Sequence, residues 1–375
     1  ANPCYSGSYE QLYEYAEVLI GKMLRVAIFD DIRELPADKF APSARTSVWG
    51  RTLDRWSGVF CALRRKVRAQ WFSQGWMIGV IDKPVHELLD TAALPKVKWI
   101  GRRTNAHYRA DPFGVPNSDR LYCEVIENNS GTGHIEAIDL DADDRIVRAT
   151  SVRLMTTGHV SYPYLFEHGG RLYGIPETAR RRCTELYEIT EDGEWLYLST
   201  LLEGVAAADV SLFFWDGLFW LAYTDLAFGA YNNLCLRYAS DLRGPWQPHL
   251  QNPVKMDHRS SRPAGTPFVH EGVLYRPGQD CRSDYGQALV INKVVCCTPQ
   301  RYQEEVARVC LPDAKGHNPH GLHTLSSWGN RTLIDGYRYV INHRELLRKF
   351  RARVFRVQAW LRKVDRRNVL RGVDR

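Results

Sequence analysis

Between about residues 76 and 339 the apolar residues come in short runs, and the runs keep returning to one frame: strand, glycine-containing turn, second strand. The fullest copy is YPYLFEHGGRLYGIPE at residues 162–177. ADPFGVPNSDRLYCE at 110–124 and VSLFFWDGLFW at 210–220 share its frame, as do TPFVHEGVLYRPGQ at 266–279 and, more weakly, HTLSSWGNRTLID at 323–335. Aligned on Pro112, Pro163, Ser211, Pro267 and Thr324, the copies are 51, 48, 56 and 57 residues apart. A period near fifty residues made of short strands predicts one four-stranded blade per repeat. The expected fold is an all-β, five-bladed β-propeller, with an irregular β-sandwich of similar hairpins as the alternative.

The flanks break this pattern. Residues 1–75 are expected to be an α/β extension, with a short helix over Tyr9–Ile20, a strand from Met23 and a basic helical stretch over Leu53–Phe72. Met23 is expected to be the native start, with residues 1–22 an added segment. Beyond residue 340, Leu347, Phe350, Val354, Val357, Leu361 and Val364 recur at steps of three and four, with Arg and Lys between them. That spacing predicts a basic amphipathic helix over 340–375, suited to an anionic membrane surface or to packing as a cap.

Charge sharpens this division. The chain carries +7, yet residues 340–375 hold twelve Lys/Arg against three acids, a balance of +9 that leaves −2 for the rest. A near-neutral body with a cationic tail excludes a basic nucleic-acid-binding fold and favours a local electrostatic contact. With 44% hydrophobic and 25% charged residues and no apolar run of membrane-spanning length, disorder, collagen and transmembrane helices are excluded. Nine cysteines without paired C-x-x-C spacing argue against a zinc site and for a reducing cytoplasm.

If five first strands line an axis, Asp111, Tyr162, Asp209 with Val210, Thr266 and His323 converge there. Glu124, Glu177, Asp225, Gln279 with Asp280, and Asp335 form a second ring. Unpaired carboxylates are costly in a confined channel, so their recurrence points to a site.

Several motifs together resemble a known family: HVSYPYLFE at 159–167, IPE at 175–177, NPVK at 252–255, SRPAG at 261–265, RPGQD at 276–280 and GLHT at 321–324. The resemblance covers about Trp76 to Tyr339. The family is that of propeller-like domains including the N-terminal domain of plant glucosamine inositolphosphorylceramide transferases and bacterial relatives. More distantly, the Ala-Asp-Pro at 110–112 is similar to five-bladed glycosidases of the arabinanase, invertase and mannoside-phosphorylase type. By that resemblance Asp111 matches their first-blade catalytic carboxylate, with Glu177 and Asp209 as the remaining catalytic candidates. Glu177 falls earlier in the chain than the acid of those enzymes.

The chemistry suits these residues. Glycosyl transfer and glycoside hydrolysis both need a carboxylate near the anomeric carbon and a proton donor or acceptor opposite. A turn-capping role for Asp111, and Ala-rich packing around Asp209, would explain the same residues structurally. Lys255, Arg262 and Arg276, near Gln279 and Asp280, could grip the phosphates of a sugar nucleotide or a lipid pyrophosphate, or Arg262 and Arg276 could bridge blades by pairing with Asp257 or Asp280. His159, Tyr162 and His323 are further candidate substrate ligands. The D-x-D at 139–141 lies in an acidic turn and the G-x-G at 131–133 lacks its helix, so no metal or dinucleotide cofactor is expected. The expectation is a glycosyltransferase using an activated sugar, acting on a glycan or lipid-linked acceptor at the cytoplasmic membrane face. A glycoside hydrolase and a non-catalytic glycan-binding propeller are the alternatives.

Overall fold

The third repeat shows how the hairpins arise. A run of bulky residues ends at Asp216-Gly217, both with positive φ, and the chain reverses so that Trp215 pairs with Leu218. The structure, a computed structural model, describes residues 72–341 apart from 92, 103, 105–106, 128–130 and 155–157. The N-terminal helices and strand and the C-terminal amphipathic helix expected from the sequence lie outside the described residues.

The first two strands are β1 (Phe72–Ile81) and β2 (Lys98–Trp99). Blade 1 follows as β3 (His107–Gly114), β4 (Arg120–Glu127), β5 (Gly133–Leu140) and β6 (Ile146–Ser151). Blade 2 is β7 (Ser161–His168), β8 (Arg171–Glu177), β9 (Cys183–Ile189) and β10 (Trp195–Glu203). Blade 3 is β11 (Ala207–Trp215), β12 (Leu218–Asp225), β13 (Cys235–Ala239) and β14 (Gln247–Pro248). Blade 4 is β15 (Phe268–His270), β16 (Val273–Asp280), β17 (Ala288–Cys297) and β18 (Tyr302–Cys310). The chain ends its described part with β19 (Leu325–Trp328) and β20 (Arg331–Ile341).

These strands form five four-stranded sheets, as the repeat predicts. The fifth sheet has the order β19-β20-β1-β2, so its outer strands come from the start of the described chain and its inner strands from the end. This closure was not foreseen, because β1 and β2 carry no copy of the repeat. It ties the ring shut without an open sheet edge between first and last blade.

Apolar seams hold the blades side by side. Phe113, Tyr122, Tyr164, Trp195, Leu212 and Phe219 bury together across blades 1 to 3. Phe213, Trp220, Leu274 and Val294 join blades 3 and 4. Leu289, Ile291, Leu325 and Ile334 join blades 4 and 5, and Ile78, Leu121, Ile138 and Leu333 join blades 5 and 1. Middle strands are therefore buried on both faces, as in β4, whereas the outermost β6 is exposed along nearly its whole length.

The register within the inner hairpins differs from the expected alignment in two places. In blades 1, 2 and 3 the first strand bulges between Ala110 and Phe113, Ser161 and Tyr164, and Ala208 and Ser211. Val210, not Ser211, is therefore the counterpart of Pro112 and Pro163. The same register places Thr224 opposite Ala208, the position that Glu124 and Glu177 occupy in their blades. Asp225 falls one residue beyond that ring, with its Oδ1 accepting from the N–H of Ala227.

Candidate active site

Each of the three bulges forces one residue into the left-handed region: Asp111 (φ 52°), Tyr162 (φ 42°) and Asp209 (φ 51°). Such a backbone costs roughly 1–2 kcal/mol for a residue with a β-carbon and persists only where its surroundings fix it. At Asp111 and Asp209 carboxylates of the second ring do so. The N–H of Asp111 donates to Asp335 Oδ2 and that of Asp209 to Glu177 Oε2, both at 2.9 Å. A second-ring acid of one blade thus holds the strained residue of the next.

Around Asp111 the groups form a chain. Thr324 Oγ1 donates to Asp111 Oδ1 at 2.5 Å, and His323 Nε2 lies 3.5 Å from the same oxygen. The other ring nitrogen of His323 is 2.6 Å from Asp335 Oδ2. Asp335 also accepts the backbone N–H groups of His323 and Thr324. Burial disfavours a charged His323, but Asp335 and Asp111 outweigh it and raise its pKa to about 9. Burial raises Asp111, His323 pulls it down, and the negative charges of Asp335 and Asp209 push it up again, to about 6 in all. Burial, and then the charge of Asp111, hold Glu124 well above the usual carboxylate range. Asp111, His323 and Asp335 bring ligand atoms within 4.8 Å of one another, a spacing a cation could use. A protonated His323 supplies positive charge at that point.

Asp209 sits in a second cluster. Arg262 forks onto it, Nε to Oδ2 at 2.6 Å and Nη2 to Oδ1 at 3.1 Å, and Gln279 Nε2 donates to Oδ2 at 2.7 Å. Beside it, burial and the charge of Asp209 raise Glu177 to about 8, against the pull of Arg262. Arg262 also lies under the rings of Tyr285 and Tyr231, at 5.2 and 5.6 Å. Trp76 stacks on His323 with ring centroids 4.0 Å apart. Trp76, Tyr231 and Tyr285 were not singled out from the sequence, since β1 and the loops carrying the tyrosines lie outside the repeated frame.

Not every expected ligand joins these clusters. Thr266 is off the axial ring, its N–H bonded to Leu325 O at 3.0 Å. The first strand of blade 4 is interrupted, and Arg262, whose carbonyl accepts the N–H of Gln279, takes the inner position instead. Gly265 allows this path: its φ is +115°, and a β-carbon there would stand 1.9 Å from Leu325 O. The Tyr162 hydroxyl is engaged by Ser211 Oγ at 2.9 Å and the N–H of Gly265 at 2.7 Å, so its buried side chain ties blades 2, 3 and 4 together.

The phosphate grip expected of Lys255 and Arg276 is taken up by Glu304. Arg276 forks onto it at 2.8 and 2.6 Å and Lys255 Nζ reaches it at 2.8 Å. Burial works against this carboxylate's charge, yet Arg276 and Lys255 hold its pKa near about 2. The bridges are those of a structural network: Arg276 goes to Glu304 and Arg262 to Asp209, not to Asp257 or Asp280, while Lys255 also stands 3.4 Å from Asp257 Oδ2. Asp280 pairs with Arg282 of the following loop at 2.7 Å. His159 lies beside Glu124, with its Nε2 3.7 Å from Oε1.

The sequence model of the N-terminal region of glucosamine inositolphosphorylceramide transferase 1 matches residues 94–324. The chain belongs to this family. The match takes in blades 1 to 4 and stops short of β19 and β20. The chain is 31% identical over 221 residues to glucosamine inositolphosphorylceramide transferase 1 of Oryza sativa subsp. indica, covering 56% of this chain and 29% of that protein. The Arabidopsis thaliana transferase 1 is 29% identical over 224 residues, 57% of this chain and 29% of its own length. The chain thus spans less than a third of the length of these curated relatives. Among solved structures, an exo-β-1,3-galactanase from Clostridium thermocellum aligns with a TM-score of 0.43 at 14% identity, over 58% of this chain and 53% of that one.

Proposed function

We propose that this propeller transfers a glycosyl group from an activated sugar to a lipid-linked acceptor, with the chemistry at Asp111, Glu177 and Asp209. What carries this reading is the convergence of buried Asp111 and Asp209 with half-buried Glu177 on neighbouring blades, in surroundings that set their proton affinities apart. Asp111, near 6, is available at neutral pH as a base for an acceptor hydroxyl, while Glu177, near 8, keeps its proton and can donate it to a sugar or leaving oxygen. Asp209, neutralised by Arg262, fixes the backbone next to Glu177 and orients that acid. Membership of the family supports an amino sugar as the transferred group and an inositol phospholipid as the acceptor. The expected cationic tail would bring the chain to the cytoplasmic face of an anionic membrane, where both substrates meet.

A non-catalytic glycan-binding propeller is the second reading. It is favoured by the burial of Asp111 and Asp209, which are 5% and 3% exposed. The test is incubation of the chain with sugar nucleotides and phosphoinositol lipid vesicles, with products analysed by mass spectrometry. Transfer that is lost in Asp111→Asn and Glu177→Gln supports the proposal. Release of free sugar points to a hydrolase, and saturable binding without product points to a binding module.

A further inference from the structure

The connections between strands divide the propeller's exposed charge. In blades 1 to 4 successive strands run antiparallel, so the first-to-second and third-to-fourth turns share one end and the other connections share the opposite end. Glu177 closes β8 and Asp280 closes β16, which puts the axial carboxyls at that opposite end. Among the described residues, the turns of the far end expose eight acids, from Asp119 to Glu271, against three bases. The connections of the axial end expose eight Arg or Lys, from Arg102 to Lys315, against Asp313, and the strand tips there add Glu127 and Glu203. The bases are densest at Arg180, Arg181 and Arg182, between β8 and β9. Arg181 pairs with Glu185 and Arg282 with Asp280, while the charge of exposed Arg180 reaches as far as His159.

The same end carries an apolar tip. The connection from β12 to β13, residues 226–234, has no charged side chain, and its Leu226 and Tyr231 are 38% and 43% exposed. Its shape is fixed from within and below. Asn233 Nδ2 donates to the carbonyls of Asp225 and Gly229 at 3.2 and 2.7 Å, and Arg262 Nη1 donates to that of Ala230 at 2.6 Å. A loop already held in shape can bury its apolar side chains in a partner without paying to order itself.

We infer that the axial end of the propeller docks on an anionic lipid surface, with Leu226 and Tyr231 in the interface and the arginines on the headgroups. Each cation near such a surface strengthens binding about fivefold. The acids of the far end are repelled, so the propeller's own field decides which end faces the lipid. A soluble polyanion would match the arginines alone, whereas Leu226 calls for an apolar layer and a tyrosine suits the headgroup level. The inference deepens the lipid-acceptor reading and rests on it for its meaning: docked this way, the end that carries Asp111, Glu177 and Asp209 meets the membrane.

The test uses the full chain with vesicles of phosphatidylserine and phosphatidylcholine, followed by co-sedimentation and by amide hydrogen exchange. Residues 178–182 and 226–231 should exchange more slowly on these vesicles, while turns 190–194 and 216–217 should exchange as in solution. Vesicles of phosphatidylcholine alone should protect neither end. Arg180→Gln and Arg259→Gln should each weaken sedimentation about fivefold, and Leu226→Ser about tenfold. Glu191→Gln with Asp192→Asn, at the far end, should leave it unchanged. Protection confined to residues 340–375 would overturn the inference. So would far-end changes that strengthen binding as much as the arginine changes weaken it, or equal protection by heparin that Leu226→Ser does not reduce. Should a variant fail to fold, exchange in the unaltered chain decides alone. Docking without sugar transfer would sink the catalytic reading and leave the docking face standing, and transfer without protection of the axial end would do the reverse.

Discussion

Replacing Arg262 by Met removes the counter-charge of Asp209 while keeping much of the side chain's length. The pair is well buried, with side-chain exposures of 10% and 5%, and the change deletes two charge-assisted hydrogen bonds of 2.6 and 3.1 Å. It also frees the carbonyl of Ala230, which Arg262 Nη1 holds at 2.6 Å. Gln279 remains as one neutral donor to a carboxylate that water barely reaches. Breaking a buried pair from one side costs about 3–5 kcal/mol, against about 0–1 kcal/mol for an exposed pair. Urea unfolding of the full chain at pH 7 should therefore show a loss of about 3–5 kcal/mol. The double variant Arg262→Met with Asp209→Asn should lose less than the two single variants summed, because no orphaned charge is left. A loss below about 1 kcal/mol, with additive behaviour in the double variant, would show that water reaches the cluster in solution and would refute the reasoning.

Three further outcomes follow from the same contacts. Lys255→Met should cost about 1–3 kcal/mol through Glu304 while leaving sugar and phosphate binding unchanged, checked by urea unfolding alongside a binding titration. Gly265→Ala should destabilise by more than about 1 kcal/mol, since it combines a positive φ with a collision against Leu325 O; thermal unfolding is the measurement. His323 is raised from 6.5 to about 9, so its contribution is complete below pH 6.5 and is lost as pH rises through 9. Glu177, raised from 4.5 to about 8, binds its proton more tightly when folded, so it too removes stability as pH rises across that window. The melting temperature should fall from pH 6.5 to 9, and His323→Gln should flatten the fall.

The sequence disclosed the blades because strand, turn and strand recur within contiguous stretches, a local signal that survives without knowing what packs on what. A strand from Trp76 to Ile81 was legible too, but its place was not: β1 pairs with β20, which lies at the far end of the described chain. Within the site, Asp111, Asp209 and His323 were found because each lies one or two residues before the aligned position of its repeat. Arg262 was read as a phosphate ligand or as a bridge to Asp257 or Asp280; its pairing with Asp209 was missed because the interrupted strand of blade 4 shifts the inner position away from Thr266. Asp225 was misplaced because blade 3 was aligned on Ser211, one residue beyond Val210, the true counterpart of Pro112 and Pro163. Lys255 and Arg276 looked like phosphate ligands because their partner, Glu304, sits on β18, distant in sequence and outside the repeated hairpin.

The pH dependence of kcat/KM for sugar transfer to an inositol phospholipid tests the central claim most directly. A base at Asp111 and an acid at Glu177 predict a bell with apparent limbs near 6 and 8, belonging to the coupled carboxyls as a set. Asp111→Asn should remove turnover across the range, and Glu177→Gln should abolish the alkaline limb along with most of the rate. A profile without either limb, or one that both variants leave unaltered, would contradict the assignment of chemistry to the axial carboxyls.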